Sequence, residues 1–279
     1  MNVIHSFWSK AYFHGRWGQE SKIHMDLYSF ALSFHYAKKL YKRVSLVTDY
    51  QGLSLFSCIP YDDITLGLTQ IEHVNPGFWT AGKVQALKLQ AKPTLHIDGD
   101  VFLMDNRVKH KMSGEWDVCV QMREVGDHYN STYPPIFRNL EQIYPWIKDL
   151  SIFNFAYNTG IFGFQNQELK MDYCLEYFNL LEMLSISGVQ FPPKQDPNIV
   201  VEQSLLTRMA SYRNAHVKEL ITLDEMEREG LFEHAARIGF VHLWGNSKYQ
   251  DYWHQKVKAK LKEVNPKLFQ SVQDMINDL

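Results

Sequence analysis

Two acidic residues separated by one glycine, Asp98 and Asp100, interrupt the otherwise apolar stretch LHIDGDVFL. Carboxylates about 4 Å apart repel each other by about 4 kcal/mol at an effective dielectric constant of 20, and a divalent cation between them turns that cost into attraction. Oxygen ligands suit Mg²⁺ or Mn²⁺, which commonly bridge substrate phosphates. Asp and Gly are also common in surface turns. The apolar residues on both sides argue against a surface turn, because unpaired acids inside a sheet are costly.

The spacing of the two acids predicts that their side chains converge. Residues two apart in a strand point to the same side, with Cα atoms about 6.5 Å apart. Gly99 lets the backbone bend and lets a ligand approach closely. The C-terminal end of a strand is also where open α/β sheets bind ligands. We therefore expect a metal site at this strand end.

A second polar group follows another apolar run, in the stretch VHLWGNSK. His242 ends the run, and a neutral imidazole is a good ligand for Mn²⁺. Gly245 opens a turn, and Lys248 carries a point charge suited to phosphate. Taken alone, His242 is more typical of a core histidine with satisfied hydrogen bonds than of a metal ligand. Together with the two acids it makes a two-carboxylate and imidazole ligand set credible.

The sequence predicts that alternating strands and helices position these residues. Such β-α-β units favour parallel strands with right-handed connections, so we expect one compact α/β domain. The hydrophobic pattern predicts strands at 2–8, 43–49, 61–68, 93–98, 116–122 and 238–245 and helices at about 22–42, 79–91, 166–184, 199–212 and 251–263. The remaining predictions are a loop at 50–52, an irregular loop with a short helix at 123–150, a strand, glycine turn and strand at 153–164, and a loop at 187–198.

Composition excludes several classes of protein. Hydrophobic residues make up 45% and charged residues 22%, which is typical of a packed globular chain. The net charge is −2 and no long Lys/Arg block occurs, so a nucleic-acid partner is not expected. The three cysteines are far apart without a C-x-x-C pair, which excludes a cysteine zinc site and favours a reducing compartment. The first residues do not form a signal peptide, and no apolar run approaches the ~20 residues of a membrane span.

Four short blocks resemble the metal-dependent GT-A glycosyltransferases, especially the retaining galactosyltransferase and glycogenin-type family (glycosyltransferase family 8-like). They are LHIDGDVFL, AYNTGIFGF, VVEQSLL and the H-x-x-G-x-x-K set of VHLWGNSK, in matching order over about residues 1–250. The chain also resembles an uncharacterised bacterial group with the core HIDGDVF, so a substrate is not inherited. The resemblance implies a GT-A-like, mixed and mainly parallel central sheet flanked by helices.

The same resemblance implies a single GT-A-like domain over residues 1–279. Residues 1–105 would form a nucleotide-binding half that ends in the D-x-D motif. Residues 106–250 would form the half for the donor sugar and acceptor, and residues 251–279 a C-terminal helical tail.

The resemblance also implies metal and nucleotide contacts. Asp98 would contact the ribose and the metal, Asp100 would be the stronger metal ligand, and His242 would complete the protein's share of the metal shell. Lys248, in the turn that Gly245 opens, would hold the diphosphate.

Two more residues are candidates on the donor side. Lys83 lies where the family often has a basic residue that touches the donor, although a helix-surface lysine is the alternative. Asp49 ends the second strand and could accept a hydrogen bond from the base or ribose. The loop after the first strand differs from that of the close family, which leaves the base open.

The middle blocks would bind the donor sugar. Asn158 could reach sugar hydroxyls, with Gly160 permitting a tight backbone, and a plain hairpin turn is the alternative. Gln203 matches the position near the reacting carbon of the sugar in the retaining family, and Glu202 beside it would bind donor hydroxyls. In inverting GT-A enzymes an acid in this region is the general base, and Glu202 could play that part, so the stereochemistry stays open. Retention is favoured, and a helix-face pair without a role is the alternative.

The sequence therefore predicts a Mn²⁺- or Mg²⁺-dependent glycosyltransferase (hexosyltransferase) that uses a nucleotide sugar, with a UDP-sugar favoured. The acceptor would be a glycan or a lipid-linked glycan. The expected location is the cytoplasm or the inner face of the membrane, where the basic helix 251–263 could make peripheral contact. One alternative is a sugar-phosphate nucleotidyltransferase, although the stretch WSKAYFHGRWG lacks a clear phosphate-cradling spacing. Another is an inactive protein that binds nucleotides or glycans.

Overall fold

The computed structural model describes residues 1–14, 22–140, 153–188 and 196–279. The strands of these residues are β1 (Asn2–Phe7), β2 (Val44–Thr48), β3 (Asp63–Thr65), β4 (Thr94–Ile97), β5 (Val101–Leu103), β6 (Val118–Glu124), β7 (Ala156–Phe164), β8 (Val217–Ile221) and β9 (Phe240–His242).

The helices of the same residues are α1 (Ser9–His14), α2 (Ile23–Leu40), α3 (Tyr50–Phe56), α4 (Ala81–Lys88), α5 (Asn106–Lys111), α6 (Gly126–Leu140), α7 (Gln167–Ser187), α8 (Pro197–Ile199), α9 (Leu205–Tyr212), α10 (Leu223–Glu229), α11 (Leu231–Ile238), α12 (Asp251–Val264) and α13 (Pro266–Asn277). A π-helical turn, Val200–Ser204, joins α8 to α9. None of the helices in the described ranges is both long and apolar enough to cross a membrane.

The central sheet has seven strands in the order β3-β2-β1-β4-β7-β6-β8. The pairs β3–β2, β2–β1, β1–β4 and β6–β8 are parallel, and β7 is antiparallel to both of its neighbours. The predicted α/β class, with a mixed and mainly parallel central sheet flanked by helices, is confirmed. Strands β5 and β9 form a separate antiparallel ribbon beside the sheet.

Helices cover both faces of the sheet. Helix α2 packs against α12 and α13 on one side, and α4 packs against α7, which packs against α9, on the other. Each side has its own buried apolar cluster. Leu27, Ala31 and Phe34 lie on the buried face of α2 at the spacing expected of an amphipathic helix. The two layers hold the C-terminal ends of β1 and β4 rigidly next to the ribbon.

The prediction that Asp98 and Asp100 lie in extended strand geometry, with both side chains on the same side, is wrong for the backbone. Strand β4 ends at Ile97, and the amide of Val101 donates to the carbonyl of Asp98 at 3.0 Å, which closes a β-turn. The turn is not a surface turn, because Asp100 is 7% exposed and strands precede and follow it. The two acids converge because the turn folds them inward.

The predicted strand, turn and strand at 153–164 is also wrong. Strand β7 runs without interruption through nine buried residues. Two of its glycines lie where atoms from other parts of the protein come very close to the backbone of β7. A Cβ at Gly160 would lie 2.3 Å from Cε1 of His242, and one at Gly163 would lie 2.3 Å from the carbonyl oxygen of Thr94. The glycines that suggested a turn are needed because neighbouring groups leave no room for a side chain.

The segment predicted at 123–150 as a loop with a short helix contains helix α6, which is longer than expected. Its residues Tyr129, Tyr133 and Ile136 form a buried face at helical spacing despite two internal prolines. Residues 141–150 lie outside the described residues. The loop predicted at 50–52 is the first turn of α3, and the pattern did not predict strand β8. Of the loop predicted at 187–198, residues 189–195 lie outside the described residues.

Candidate functional site

An open cleft of about 510 Å³ lies where β1 and β4 end, beside the β5–β9 ribbon. This volume is in the range of small-molecule sites. All but one of the site residues predicted from the sequence line it: Lys83, Asp98, Asp100, Asn158, Glu202, Gln203, His242, Gly245 and Lys248. The structure therefore brings together residues that are up to about 165 positions apart in the chain.

Asp98, Asp100 and His242 form the centre of the cleft. Each offers one ligand atom, and these atoms lie within 4.8 Å of one another. The ribbon creates this proximity, because Val101 pairs with His242 and the amide of Leu243 donates to the carbonyl of Asp100 at 3.1 Å. Two carboxylates and an imidazole make a donor set that suits Mn²⁺, and the carboxylates alone suit Mg²⁺.

Asp100 has a buried carboxylate oxygen that accepts no hydrogen bond from the described residues. This oxygen, Oδ1, lies 3.4 Å from Nε2 of His242. Burial raises the pKa of Asp100, but the ammonium group of Lys248 and the imidazole of His242 outweigh it and hold the pKa below its usual value. Asp100 is thus an ionised carboxylate with an unused acceptor atom, as a cation ligand should be.

Contacts at Nδ1 fix the orientation of the His242 ring. Nδ1 lies 2.9 Å from Oε1 of Gln121 and also contacts the indole nitrogen of Trp244. One nitrogen cannot both donate to Gln121 and accept from Trp244. The indole N–H of Trp244 can only donate, so its contact belongs to the tautomer protonated at Nε2. Metal binding at Nε2 requires the other tautomer, in which Nδ1–H donates to Gln121, the arrangement found at metal-binding histidines. The residues of the site therefore fit a divalent cation.

Helix α2 braces the turn that carries the two acids. Ser29 donates to the carbonyl of Gly99 at 2.9 Å, and Ser33 donates to the carbonyl of Val101 at 2.5 Å. Between them, the ring of Phe30 packs on Gly99, where a Cβ would lie 2.1 Å from Cε2 of the ring. The turn needs glycine at this position because the helix approaches its backbone so closely.

Lys83 lies deep in the cleft and bridges two acids. Its ammonium nitrogen is 3.0 Å from Oδ1 of Asp98, 3.1 Å from Oε1 of Glu202 and 3.1 Å from the carbonyl of Thr159. Burial lowers the pKa of Lys83, but the carboxylates of Asp98 and Glu202 outweigh it, so the pKa is raised. Burial raises the pKa of Glu202 to about 7, against the opposing charge of Lys83. Lys83 holds both acids in place.

Lys248 forms the other charged wall of the cleft. Its ammonium nitrogen lies 3.1 Å from Oδ2 of Asp100. Asp26, at the start of α2, adds a second negative charge there and accepts hydrogen bonds from the hydroxyls of Tyr12 at 2.7 Å and Tyr249 at 3.1 Å. Burial lowers the pKa of Lys248, but the charges of Asp100 and Asp26 outweigh it and raise the pKa. Lys248 therefore stays cationic next to the metal ligands.

A third group of polar side chains lies on the wall formed by β6 and β7. Asn158 donates to Oε1 of Glu124 at 2.6 Å and accepts from the amide of Gly160 at 3.0 Å. The hydroxyl of Tyr133 lies 2.6 Å from Oε2 of Glu124 and 2.6 Å from Oε1 of Gln203. Asn158 and Gln203 are thus joined through one buried hydrogen-bond chain.

The structure does not bring Asp49 into this group. Its carboxylate caps α3 by accepting from the amide of Gly52 at 2.9 Å, and it also accepts from the amide and hydroxyl of Ser9 at 2.9 and 2.8 Å. Asp49 does not line the cleft. Three hydrogen bonds from the protein occupy its oxygens, which is the pattern of a structural acid.

Sequence reasoning missed Asp26, Gln121 and Glu124, all of which lie on the cleft or directly behind it. Asp26 carried a usable signal, since it shares with Ser29 and Ser33 the helical spacing of a polar strip on the apolar helix α2. Gln121 and Glu124 carried a weaker one, namely polar residues within the apolar strand β6.

A profile of a protein family described as a family of unknown function, DUF6734, matches residues 1–275. The chain belongs to this family. No curated protein matches the chain.

Several solved structures are similar to this member of the family. The galactosyltransferase LgtC in complex with donor and acceptor sugar analogues is 9% identical, with a TM-score of 0.41 over 73% of this chain and 71% of that one. The glycosyltransferase GlyE from Streptococcus pneumoniae TIGR4 is 9% identical, with a TM-score of 0.49 over 99% of this chain and 63% of that one. The inositol-1-phosphate CTP transferase from T. maritima is 11% identical, with a TM-score of 0.45 over 94% of this chain and 96% of that one. At these identities and TM-scores the similarities assign neither a fold family nor an activity to the chain.

Proposed function

We propose that the protein is a metal-dependent glycosyltransferase that transfers a sugar from a nucleoside diphosphate sugar, with a UDP-sugar favoured, to a glycan or lipid-linked glycan. The observation that carries the proposal is the convergence of Asp98, Asp100 and His242 within 4.8 Å, beside Lys248, in a cleft of about 510 Å³. A metal next to a fixed cation is suited to the diphosphate of such a donor.

The three ligands would hold Mn²⁺ or Mg²⁺. When bound, the cation supplies Lewis-acid stabilisation of the leaving nucleoside diphosphate. Lys248 would contact the same diphosphate, because its ammonium group already lies 3.1 Å from Asp100 and is kept protonated by its surroundings. Gly245, with φ +56°, exposes the backbone at the start of the turn that carries Lys248 and lets the phosphates approach it.

The donor sugar would lie between the metal ligands and the wall that carries Asn158, Glu202 and Gln203. Lys83 pairs with both Asp98 and Glu202 and offsets part of their charge, so the pocket offers acceptors for sugar hydroxyls at a reduced electrostatic cost. Trp8 and Tyr12, which line the cleft where β1 ends, form an aromatic surface on which the base could stack.

We propose transfer with retention of configuration. An inverting transfer needs a carboxylate that takes the proton of the acceptor hydroxyl. Glu202 is paired with Lys83 and 1% exposed, and both oxygens of Glu124 lie within hydrogen-bond distance of protein donors. Gln203 is an amide, which does not act as a base. The anomeric configuration of the product, read from its proton coupling constant by NMR, tests this assignment.

Helix α12 supports the proposal of a peripheral contact with the inner face of the membrane in the cytoplasm. Tyr252 and Trp253 at the start of α12 are exposed, and Lys256 and Lys262 project from the same helix. Exposed aromatics next to basic residues suit an anionic bilayer surface. Such a contact would place a lipid-linked acceptor near the cleft, and cosedimentation with anionic and neutral vesicles tests it.

The experiment that tests the function measures release of nucleoside diphosphate from a panel of nucleotide sugars with Mn²⁺. The wild-type protein should release it, and Asp100→Ala should lose at least about 100-fold in rate even in excess metal, because a metal ligand is gone. Asp105→Asn is the matched control, since Asp105 caps α5 outside the cleft and Asn caps equally well. Equal activity of Asp100→Ala and wild type would refute the metal assignment.

Two companion measurements separate the alternatives. A sugar-phosphate nucleotidyltransferase would release pyrophosphate from a nucleoside triphosphate and a sugar phosphate. An inactive binding protein would bind nucleoside diphosphate in a metal-dependent way, as measured by calorimetry, without turnover of any nucleotide sugar.

A further inference from the structure

The hydroxyl of Tyr133 sits between two groups that are both assigned as hydrogen-bond acceptors. It lies 2.6 Å from Oε2 of Glu124 and 2.6 Å from Oε1 of Gln203. All three side chains are buried, with Tyr133 at 0%, Gln203 at 7% and Glu124 at 9% exposure. A hydroxyl carries one proton, so it can donate to only one of these two oxygens. The other contact must have the opposite direction.

Asn158 decides which contact is reversed. Its carbonyl oxygen accepts from the amide of Gly160, so its amide nitrogen is the end that faces Glu124 and must donate to Oε1. With Glu124 ionised, both of its oxygens accept, and Oε2 takes the proton of Tyr133. The oxygen of Tyr133 is left as an acceptor for Gln203. The two ends of a Gln amide have the same shape, so the hydrogen bonds determine its orientation.

We propose that Tyr133 is a positioning residue that turns the amide of Gln203, so that Nε2 donates to Tyr133 and the carbonyl oxygen faces the donor sugar. Gln203 lines the cleft, so its outward end meets the bound substrate. This inference rests on the proposed glycosyl transfer. Glu124 fixes the direction of the hydrogen bond that it accepts from Tyr133. Tyr133 thereby fixes the direction of its hydrogen bond with Gln203.

The orientation has a chemical consequence. Glycosyl transfer develops positive charge on the ring oxygen and reacting carbon of the sugar. An amide carbonyl directed at that carbon stabilises the charge, whereas an NH₂ group in the same place opposes it. The identity of the outward atom therefore affects the rate of the chemical step more than the binding of the donor.

The Tyr133→Phe variant removes the link and keeps the aromatic ring. We expect kcat for transfer or donor hydrolysis to fall by about 100-fold, the loss typical of a misplaced group at the reacting centre. KM for the donor should stay within about twofold. Tyr129→Phe is the matched control, because Tyr129 lies on the same helix and stacks on Tyr133 with ring centroids 4.8 Å apart. Its hydroxyl donates to the carbonyl of Phe153, which is not part of the hydrogen-bond chain from Glu124 to Gln203. Equal kcat values for the two variants would overturn the proposal.

The Glu124→Gln variant reverses the two hydrogen bonds of Tyr133 and changes the shape of the side chain very little. Its new amide must accept from Asn158, so its NH₂ faces Tyr133 and the proton of Tyr133 passes to the carbonyl of Gln203. We expect kcat to fall about as far as in Tyr133→Phe, and the double variant to be no worse than the poorer single variant. Additive losses would show that the two residues act separately and would contradict the chain.

A measurement without turnover keeps this inference separate from the proposed function. In protein labelled with ¹⁵N-glutamine, the side-chain amide signal of Gln203, assigned by its loss in Gln203→Ala, should show a nuclear Overhauser effect to the ring protons of Tyr133. Its absence in the folded wild-type protein would overturn the orientation. If the effect is present but no nucleotide sugar is turned over, the orientation stands and the proposed function fails.

Discussion

Gly160→Ala is the substitution for which the structure gives the sharpest consequence. The added Cβ would lie 2.3 Å from Cε1 and 2.7 Å from Nδ1 of His242, and 2.8 Å from Oε1 of Gln121. Gly160 lies in β7 opposite the irregularity between Val120 and Met122 of β6, and its carbonyl accepts from the amide of Asp98 at 2.9 Å, which holds the backbone in place. The imidazole and the amide that orients it must therefore move.

The size of that movement follows from ordinary contact distances. Carbon atoms in contact are about 3.5 Å or more apart, so the ring of His242 must shift by about 1 Å. Metal–ligand distances tolerate only about 0.2 Å. We expect the affinity for Mn²⁺ to fall by about 10- to 100-fold, as when a residue that orients a metal ligand is lost, and the free energy of unfolding to fall by about 1–3 kcal/mol, as in an overpacked core.

Calorimetric titration with Mn²⁺ and urea unfolding measure the two effects. Gly77→Ala is the control, because Gly77 is exposed and the added Cβ would meet only the side chain of Asn75 at 3.2 Å. In a His242→Ala background the added Cβ meets only Oε1 of Gln121, the end of a flexible side chain, so Gly160→Ala should cost no further metal affinity and little stability. Wild-type Mn²⁺ affinity in Gly160→Ala would refute the placement of His242 as a ligand.

Three further changes test other contacts. The buried carboxyl of Glu202 has its pKa raised from 4.5 to about 7 in the folded protein, so stability present below pH 4.5 is lost as the pH rises through about 7. Relative to Glu202→Gln, wild type should lose about 3 kcal/mol over that range, and parallel unfolding curves at all pH values would contradict the shift. Asp49→Ala should destabilise the fold by about 1–2 kcal/mol through loss of the helix cap and leave the Kd for nucleoside diphosphate unchanged by calorimetry; weaker binding would place Asp49 at the nucleotide. Ser29→Ala removes the hydrogen bond to Gly99 and should weaken Mn²⁺ binding about 3- to 10-fold, in line with about 1 kcal/mol per bond, whereas unchanged affinity would show that the turn needs no brace.

Local sequence patterns predicted the parts of the site that depend on residue type. The apolar run before Asp98 formed a buried strand, and the acids, His242 and Lys248 meet in one cleft. Residue chemistry alone pointed to these positions, because charged and metal-binding side chains inside apolar runs are costly unless they have partners.

The geometry that joins them could not be predicted from local patterns. Asp100 and His242 approach each other because the three-residue strands β5 and β9 pair in one register, with Val101 opposite His242. Strands of three residues are too short to show a clear alternation of apolar and polar residues, and their register is set by tertiary packing. The turn at Asp98 shows the same limit, since an extended strand and a buried turn both bring the acids together.

Glycines were misread for a related reason. Gly160 and Gly163 suggested a turn in AYNTGIFGF, but each is required by a group from elsewhere in the chain, the ring of His242 and the backbone of Thr94. Conversely, Asp49 has the residue type and position of a nucleotide contact, and its oxygens are used by Ser9 and Gly52. Only the structure shows which partner a side chain has.

The central claim is that Asp98, Asp100 and His242 share one divalent cation, and anomalous diffraction at the manganese edge tests it most directly. Crystals soaked with Mn²⁺ and UDP should show one strong peak about 2.1 Å from a carboxylate oxygen of Asp100, bonded also to Asp98 and to Nε2 of His242, with the diphosphate next to Lys248. UDP bound in the cleft with no manganese peak between these three residues would contradict the account.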